Sequence, residues 1–118
     1  MMLTLDKKER LHASKAEIEG ITGGMPPEGI IRKTVGLFTV LSDPTRVKII
    51  LALSGNELCV GDLAFVVGAS DSAVSHQLRV LRNMDLVDHR REGKLALYSL
   101  SDEHLETILE QSLAHVSE

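Results

Sequence analysis

Apolar residues recur every three or four positions over most of this chain, and that spacing predicts amphipathic helices. A sparse version of the pattern predicts a polar, charged helix or arm over residues 5–19, and glycines and prolines at positions 20–27 then interrupt any regular element. The next helix is predicted over residues 28–41, with four apolar side chains on one face: Ile31, Val35, Phe38 and Leu41. We therefore expect an arm and linker over residues 1–27 and a folded domain over residues 28–118.

A third helix is predicted over residues 45–53. Asp43 suits its N-cap, because a carboxylate there accepts hydrogen bonds from free N–H groups of the first turn, and Pro44 suits the first helical position. Gly55 is predicted to end it, since glycine readily adopts the left-handed conformation found after helices. The periodicity predicts three buried side chains: Val47, Ile50 and Leu51.

Two helices joined by a three-residue turn follow, over residues 59–67 and 71–85. The turn, Gly68-Ala69-Ser70, contains a glycine, and Ser70 is placed to cap the second helix. Four residues of the second helix are predicted to face inward: Val74, Leu78, Leu81 and Met84. This arrangement is typical of a helix-turn-helix.

Two strand-like runs, residues 86–91 and 94–100, meet at Glu92-Gly93 and predict a hairpin. A last helix is predicted from an N-cap at Ser101 to the final residue, with Leu105, Ile108, Leu109, Leu113 and Val116 as an apolar stripe. The fold class is therefore mainly α with a small β-hairpin, a winged helix-turn-helix. We expect a homodimer formed through the N- and C-terminal helices.

The charge distribution points to a DNA-binding face, although the net charge of −4 argues against indiscriminate nucleic-acid binding. Residues 79–94 hold five basic residues against three acidic ones, and the basic side chains cluster on the helix and the hairpin tip. Side chains of this kind contact base edges and phosphates in double-stranded DNA. The candidates are Ser72, Ser75, His76, Gln77, Arg79, Arg82, Arg90, Arg91 and Lys94. The alternative interpretation is an ordinary exposed polar helix surface.

The last helix carries four metal-ligand residues in a regular arrangement: Asp102, His104, His115 and Glu118. The two histidines are eleven positions apart, close to three helical turns, so they lie on one stripe but roughly 16 Å apart. One helix therefore cannot close a four-coordinate zinc site. Two antiparallel copies related by a two-fold axis can, and would form two sites, each with Asp102 and His104 of one subunit against His115 and Glu118 of the other. The alternative is a solvated polar edge with two chance histidines.

The composition argues against several classes of protein. One cysteine, Cys59, excludes an intrachain disulfide framework and fits a reducing cytoplasm. We find no run of 18 apolar residues and no basic-then-apolar start, so we expect neither a membrane partner nor a signal peptide. A zinc hydrolase is the enzyme alternative, but the sequence offers no nucleophile constellation or phosphate loop beside the four ligands.

Three segments carry a family resemblance that covers about residues 35–118: Leu41-Ser-Asp-Pro-Thr-Arg46, Glu57-Leu-Cys-Val-Gly-Asp-Leu-Ala64 and Ser72-Ala-Val-Ser-His-Gln-Leu78. With the Asp102/His104/His115/Glu118 pattern, they resemble the ArsR/SmtB family of metal-responsive winged-helix repressors, in its zinc- and cobalt-sensing type. The resemblance implies an operator-bound metal-free homodimer that is released by Zn²⁺ or Co²⁺. The regulated genes would then encode metal efflux or sequestration proteins.

The resemblance also implies a second candidate metal site, on the first helix of the helix-turn-helix with ligands from the partner's arm. Cys59 and Asp62 match it, and His12 is a candidate third ligand; such a set suits a soft ion such as Cd²⁺ or Pb²⁺. Gly61 stands where thiolate-rich members have a second cysteine. A regulator that responds to a soft metal or redox change through Cys59 is therefore an alternative, as is a winged-helix dimer whose histidines are idle.

Overall fold

The computed structural model describes residues 12–118, and they form six helices and one hairpin. The helices are α1 (Lys15–Gly24), α2 (Glu28–Val40), α3 (Pro44–Ala52), α4 (Val60–Val67), α5 (Asp71–Asn83) and α6 (His104–Val116), and the strands are β1 (Val87–Glu92) and β2 (Leu95–Leu100). The expected fold class, mainly α with a small hairpin in a winged helix-turn-helix, is confirmed. The chain divides into two compact units, with the boundary between Gly36 and Leu37, within α2.

The first unit contains α1 and most of α2. Ser14 caps α1 by accepting a hydrogen bond from the Glu17 N–H at 3.1 Å. The prediction of a break from Gly20 onward is wrong, because α1 continues to Gly24. A glycine weakens a helix but keeps its N–H donor, whereas Pro26 and Pro27 lack one, and the helix ends just before them. The part of the predicted first helix at residues 5–11 lies outside the described residues.

The second unit holds the hydrophobic core. In it α3 contacts α4, α5 and α6, while α5 contacts β1 and α4 contacts β2. The buried core residues are Val40, Ile49, Ile50, Leu53, Leu63, Ala64, Val67, Val74, Leu78, Leu81, Val87, Leu105 and Leu109. Burial of these side chains from α2 to α6 fixes the orientation of α5, the second helix of the helix-turn-helix, against the rest of the unit.

Helix α3 begins as predicted, with Pro44 in its first turn and the Asp43 carboxylate accepting from the Arg46 N–H at 3.0 Å. Its buried face differs from the prediction: Ile49 is fully buried with Ile50, whereas Val47 and Leu51 are only half-buried. Helix α3 contacts α4, α5 and α6, so side chains on more than one of its faces are buried, and Ile49 is one of them.

Several expected boundaries shift. Met84 follows the end of α5 and is 37% exposed, so its predicted inward position is wrong. The next residue, Asp85, has a left-handed φ of 58° that ends the helix.

The hairpin loop is Gly93-Lys94, one residue later than predicted. A positive φ at Gly93 (62°) followed by an ordinary one matches the type II′ turn that suits two-residue hairpins.

The predicted apolar face of α2 is only partly covered. Val40 is buried and Leu41 half-buried, but Val35 and Phe38 are 59% and 57% exposed. A helical period identifies the residues that share a face, but it does not say what covers that face.

Candidate DNA-binding surface and metal ligands

The turn between α4 and α5 gives α5 its position. Gly68 ends α4 in the left-handed conformation (φ 71°), and the Ser70 hydroxyl accepts from the Ala73 N–H at 3.1 Å, which caps α5. The buried face of α5 is Val74, Leu78 and Leu81. The candidate DNA-binding residues on the exposed faces of the same helix are Ser72, Ser75, His76, Arg79 and Arg82.

Gln77, also a candidate, is half-buried on the flank of α5. Its Oε1 accepts a hydrogen bond from Nε of Arg46 at 2.6 Å, and Arg46 Nη1 also donates to the carbonyl of Val40 at 3.3 Å. Arg46 therefore joins the C-terminal end of α2 to α5. This contact was not predicted from the sequence, because Arg46 and Gln77 lie 31 positions apart.

The hairpin presents Arg91 and Lys94 at its exposed tip, as the sequence predicted. Arg91 Nη1 donates to the carbonyl of Lys94 at 3.3 Å, so the Arg91 side chain lies against the backbone of the loop. Two exposed basic side chains, one in the turn and one in the strand beside it, are suited to phosphate contacts.

Arg90 has different surroundings, which the sequence did not indicate. Its guanidinium donates to both carboxylate oxygens of Glu57, at 2.7 and 2.8 Å, and lies 3.0 Å from the carboxylate of Glu92. The hydrogen bond from Arg90, reinforced by its charge, holds the pKa of Glu57 below its ordinary value. The hydrogen bonds that Arg90 donates to the Glu57 and Glu92 carboxylates in turn raise the pKa of Arg90.

Backbone pairing fastens the hairpin beside this ion pair. Leu58 forms an isolated antiparallel bridge with Tyr98 of β2, through N–H to O=C distances of 3.0 and 2.8 Å. His89 of β1 stacks on the Tyr98 ring, with centroids 5.5 Å apart. The hairpin is therefore tied to the segment that leads into α4, so its position follows that of the helix-turn-helix.

The first pair of predicted metal ligands is adjacent in the structure. The Asp102 carboxylate oxygen Oδ1 lies 3.1 Å from Nδ1 of His104 and accepts from the His104 N–H at 2.8 Å. The side chain of His104 is 90% exposed and that of Asp102 is 59% exposed. Asp102, rather than the predicted Ser101, therefore supplies the side-chain acceptor at the start of α6, and the Ser101 hydroxyl is buried with no hydrogen-bond partner among the described residues.

The second pair lies at the other end of α6. His115 is exposed in the last turn, and Glu118 lies two residues beyond the helix end at Val116, so the expectation that it belongs to the helix is wrong. Within residues 12–118 of a single chain, no three His, Cys, Asp or Glu side chains come together as a metal cluster.

The second candidate metal site was predicted from Cys59, Asp62 and His12. Cys59 is half-buried and is the N-cap residue of α4 rather than part of the helix, and it makes no side-chain capping bond. Asp62 is exposed in the first turn of α4, and His12 is exposed.

Within residues 12–118, no helix combines the length and apolar character needed to cross a bilayer.

Comparison with known proteins identifies the regulator class. Residues 43–89, from the cap of α3 to β1, match the family model described as bacterial regulatory protein, arsR family. The chain is 46% identical over 84 residues to a cadmium resistance transcriptional regulatory protein CadC homolog of Staphylococcus aureus, covering 70% of this chain and 69% of the relative. It is 46% identical over 81 residues to a transcriptional repressor SmtB homolog of Synechocystis, covering 69% of this chain and 61% of the relative.

Solved structures support the fold. NolR of Sinorhizobium fredii has a TM-score of 0.69 at 33% identity, covering 76% of this chain and 92% of that one. A homodimeric winged helix-turn-helix DNA-binding domain of Mycobacterium bovis has a TM-score of 0.63 at 22% identity. It covers 78% of this chain and 94% of that one, and it shows the shared fold alone.

Since the relatives are transcriptional regulators, the chain is a regulator and not an enzyme, and the hydrolase alternative is discarded. The chain belongs to the ArsR family of bacterial regulatory proteins.

Proposed function

We propose that this protein is a metal-responsive transcriptional repressor of the zinc-sensing type, whose metal-free homodimer binds operator DNA and releases it on binding Zn²⁺ or Co²⁺. The observation that carries the proposal is the exposed Asp102–His104 pair at the start of α6, with a second exposed histidine, His115, eleven positions after His104. These side chains take no part in the core. Exposed ligands at both ends of one helix are what a site shared between two chains requires.

Apolar surface supports the dimer. Exposed apolar side chains lie on α1 and α2 and at the end of α6, including Ile21 (62% exposed), Phe38 (57%) and Val116 (74%). Burying such surface against a second copy is favourable. An antiparallel pairing of the two α6 helices would then place Asp102 and His104 of one subunit beside His115 and Glu118 of the other, twice per dimer.

Two imidazoles and two carboxylates form a set of nitrogen and oxygen donors that suits Zn²⁺ or Co²⁺ better than Cu⁺. His104 has Nδ1 beside Asp102, which leaves Nε2 as the nitrogen that faces away from the carboxylate. A metal that joins the two subunits fixes their relative arrangement. If that arrangement misplaces the two α5 helices relative to successive major grooves, roughly 34 Å apart, DNA affinity falls.

The relatives supply the biological context. One is named for cadmium resistance and another is an SmtB-type repressor, which supports metal as the effector and genes of metal efflux or sequestration as the regulated set. The partners proposed are double-stranded operator DNA, a second copy of the chain and a metal ion. A cytoplasmic location fits a regulator of this kind.

The experiment is fluorescence anisotropy with duplex DNA from upstream of the protein's own gene, at fixed salt, with and without stoichiometric Zn²⁺. We expect tight binding by the metal-free protein, release by Zn²⁺ and recovery on adding a chelator. His104→Ala and His115→Ala are expected to keep DNA binding and to lose the metal response.

Glu110→Gln is the matched control, because Glu110 is an exposed acid of α6 outside the four-ligand set. It is expected to respond to Zn²⁺ as the wild type does. DNA binding that is indifferent to Zn²⁺ in the wild type would contradict the metal assignment and leave the winged helix-turn-helix in place.

A second candidate function is a response to a soft ion through Cys59, with Asp62 and the partner's His12. The name of the Staphylococcus aureus relative favours Cd²⁺ as the ion to test, with Pb²⁺ as the second. The single thiol is half-buried. Cys59→Ser separates the alternatives. Loss of the Cd²⁺ response with the Zn²⁺ response kept would assign the soft-metal role to Cys59. A change in DNA affinity when the wild type is oxidised, absent in Cys59→Ser, would assign a redox role.

A further inference from the structure

The two sides of the hairpin differ in their charged residues. Side chains alternate between the two sides along a strand, and residues paired across an antiparallel hairpin share a side. The six residues of one side, named here the helix side, are the pairs Val87 with Leu100, His89 with Tyr98, and Arg91 with Ala96. The outer side consists of the pairs Asp88 with Ser99, Arg90 with Leu97, and Glu92 with Leu95.

The helix side is the one that packs on the hydrophobic core. Val87 is buried within the core, Tyr98 and Leu100 pack against it, and β1 contacts α5. His89 and Arg91 follow Val87 by two and four positions along β1, and both are exposed. They therefore extend the helix side beyond the core, toward the tip of the hairpin.

The outer side is acidic. Asp88 and Glu92 belong to it, and Glu57 joins them because it accepts hydrogen bonds from Arg90, the single basic residue of this side. Three carboxylates therefore stand against one guanidinium, which is already held by two of them. A DNA phosphate that approached this side would meet an excess of negative charge.

The helix side has no acidic residue among its six, and its cation is Arg91. His89 is its other exposed polar residue, and the imidazole stacks on Tyr98 with ring centroids 5.5 Å apart and an angle of 24° between the planes. Stacking holds the plane of the imidazole on the surface, and an imidazole carries an N–H donor in either neutral tautomer. A donor on the same side of the strand as Arg91 suits a neighbouring phosphate oxygen.

We propose that the hairpin meets DNA with its helix side, where His89 contacts the phosphate backbone beside Arg91, and that Arg90 stays on the outer side away from the DNA. The proposal rests on the proposed function, because it requires that α5 and the hairpin bind duplex DNA together. It adds His89 to the predicted DNA-binding set and removes Arg90 from it.

The test compares His89→Lys with Asp88→Asn, which each add one positive charge at neighbouring exposed positions on opposite sides of the hairpin. Fluorescence anisotropy measures the affinity of the metal-free, full-length protein for duplex DNA from upstream of its own gene. The titrations run from about 50 to 200 mM salt, at about pH 8, where a free imidazole is uncharged. His89→Lys is expected to steepen the slope of log affinity against log salt by about 1, since one charged phosphate contact is gained. Asp88→Asn is expected to change the slope by clearly less.

A second pair of variants adds one negative charge to each side. His89→Glu is expected to lower the affinity by about tenfold or more, because it sets a carboxylate against phosphate. Leu95→Glu is the matched control, since Leu95 is 53% exposed on the outer side, and it is expected to lower the affinity by clearly less. Circular dichroism and thermal unfolding of all four variants verify that each keeps its fold.

Equal slopes in His89→Lys and Asp88→Asn would overturn the proposal, by showing that both sides of the hairpin lie equally far from DNA. A loss in Leu95→Glu as large as that in His89→Glu would overturn it as well. A wild type that does not bind the duplex at any salt concentration would instead refute the operator binding on which the proposal rests.

Discussion

Glu57 and Arg90 form a bidentate ion pair, with Nε–Oε2 and Nη2–Oε1 distances of 2.7 and 2.8 Å. The pair fastens β1 of the hairpin, which is the wing of this fold, to the segment before α4. Glu92 adds a second carboxylate 3.0 Å from the same guanidinium. The positive charge of Arg90 is thus compensated within the protein, whereas Arg91 and Lys94 at the wing tip keep exposed cationic groups.

The first prediction concerns the salt dependence of DNA binding. Lys94→Ala is expected to reduce the slope of log affinity against log salt concentration by about 1, since one phosphate contact is lost. Arg90→Ala is expected to reduce it by clearly less, because two carboxylates already balance Arg90. Anisotropy titrations from about 50 to 200 mM salt measure both slopes. Equal reductions in the two variants would show that Arg90 leaves Glu57 to bind phosphate.

The second prediction concerns pH. Arg90 lowers the pKa of Glu57, so the pair stabilises the folded state fully above the ordinary pKa of a glutamate, and this stabilisation is lost as pH falls through the lowered value. An NMR titration of the Glu57 carboxyl should give a midpoint below the ordinary range in the wild type. In Arg90→Met the midpoint should rise toward that range. The same midpoint in both proteins would show that the ion pair does not persist in solution.

The third prediction separates the core from an exposed apolar residue. Ile49 is 0% exposed, and Ile49→Ala is expected to lower the free energy of unfolding by about 2–5 kcal/mol, through lost burial and the cavity left behind. Phe65 is 89% exposed on α4, so Phe65→Ala should change it by less than about 0.5 kcal/mol. Urea unfolding at one fixed protein concentration compares them. A large loss in Phe65→Ala would indicate that this ring is covered in the assembled protein.

The fourth prediction compares Ser70 and Ser101, which the sequence analysis both predicted to be helix N-caps. Ser70 caps α5 through its hydroxyl, and Ser70→Ala is expected to destabilise the protein by about 1 kcal/mol. The Ser101 hydroxyl is buried with no hydrogen-bond partner within residues 12–118, so Ser101→Ala removes an unsatisfied polar atom and is expected to cost less or to stabilise. Thermal unfolding of both variants decides the matter, and an equal loss in each would restore Ser101 as a cap.

Helices α2 to α6 and the hairpin could be predicted from the sequence, apart from their exact ends, because each depends on local signals. The buried face of α5, the Asp43 cap and the hairpin all follow from spacing or residue type within a few positions. The start of α6 was misplaced because the residue that precedes it is Glu103, whose side chain makes no capping bond, so the cap-type residue Ser101 gives the wrong position.

Contacts between distant positions carry no such local signal. Arg46 lies 31 positions from Gln77, and Glu57 lies 33 from Arg90, so no periodicity relates the members of either pair. Both pairs depend on how α3, α4, α5 and the wing pack together. Gln77 and Arg90 could therefore be predicted as polar surface residues, but the partners that orient them could not.

The separation of the ligands along α6 has a genetic consequence under the proposed two-chain site. His104 and His115 occupy opposite ends of the helix, so each subunit contributes to two different metal sites. A homodimer of His104→Ala or of His115→Ala retains no complete site. A mixed dimer with one chain of each kind retains one, formed by the intact His104 of one chain and the intact His115 of the other. Two defective alleles would therefore complement each other within a single molecule.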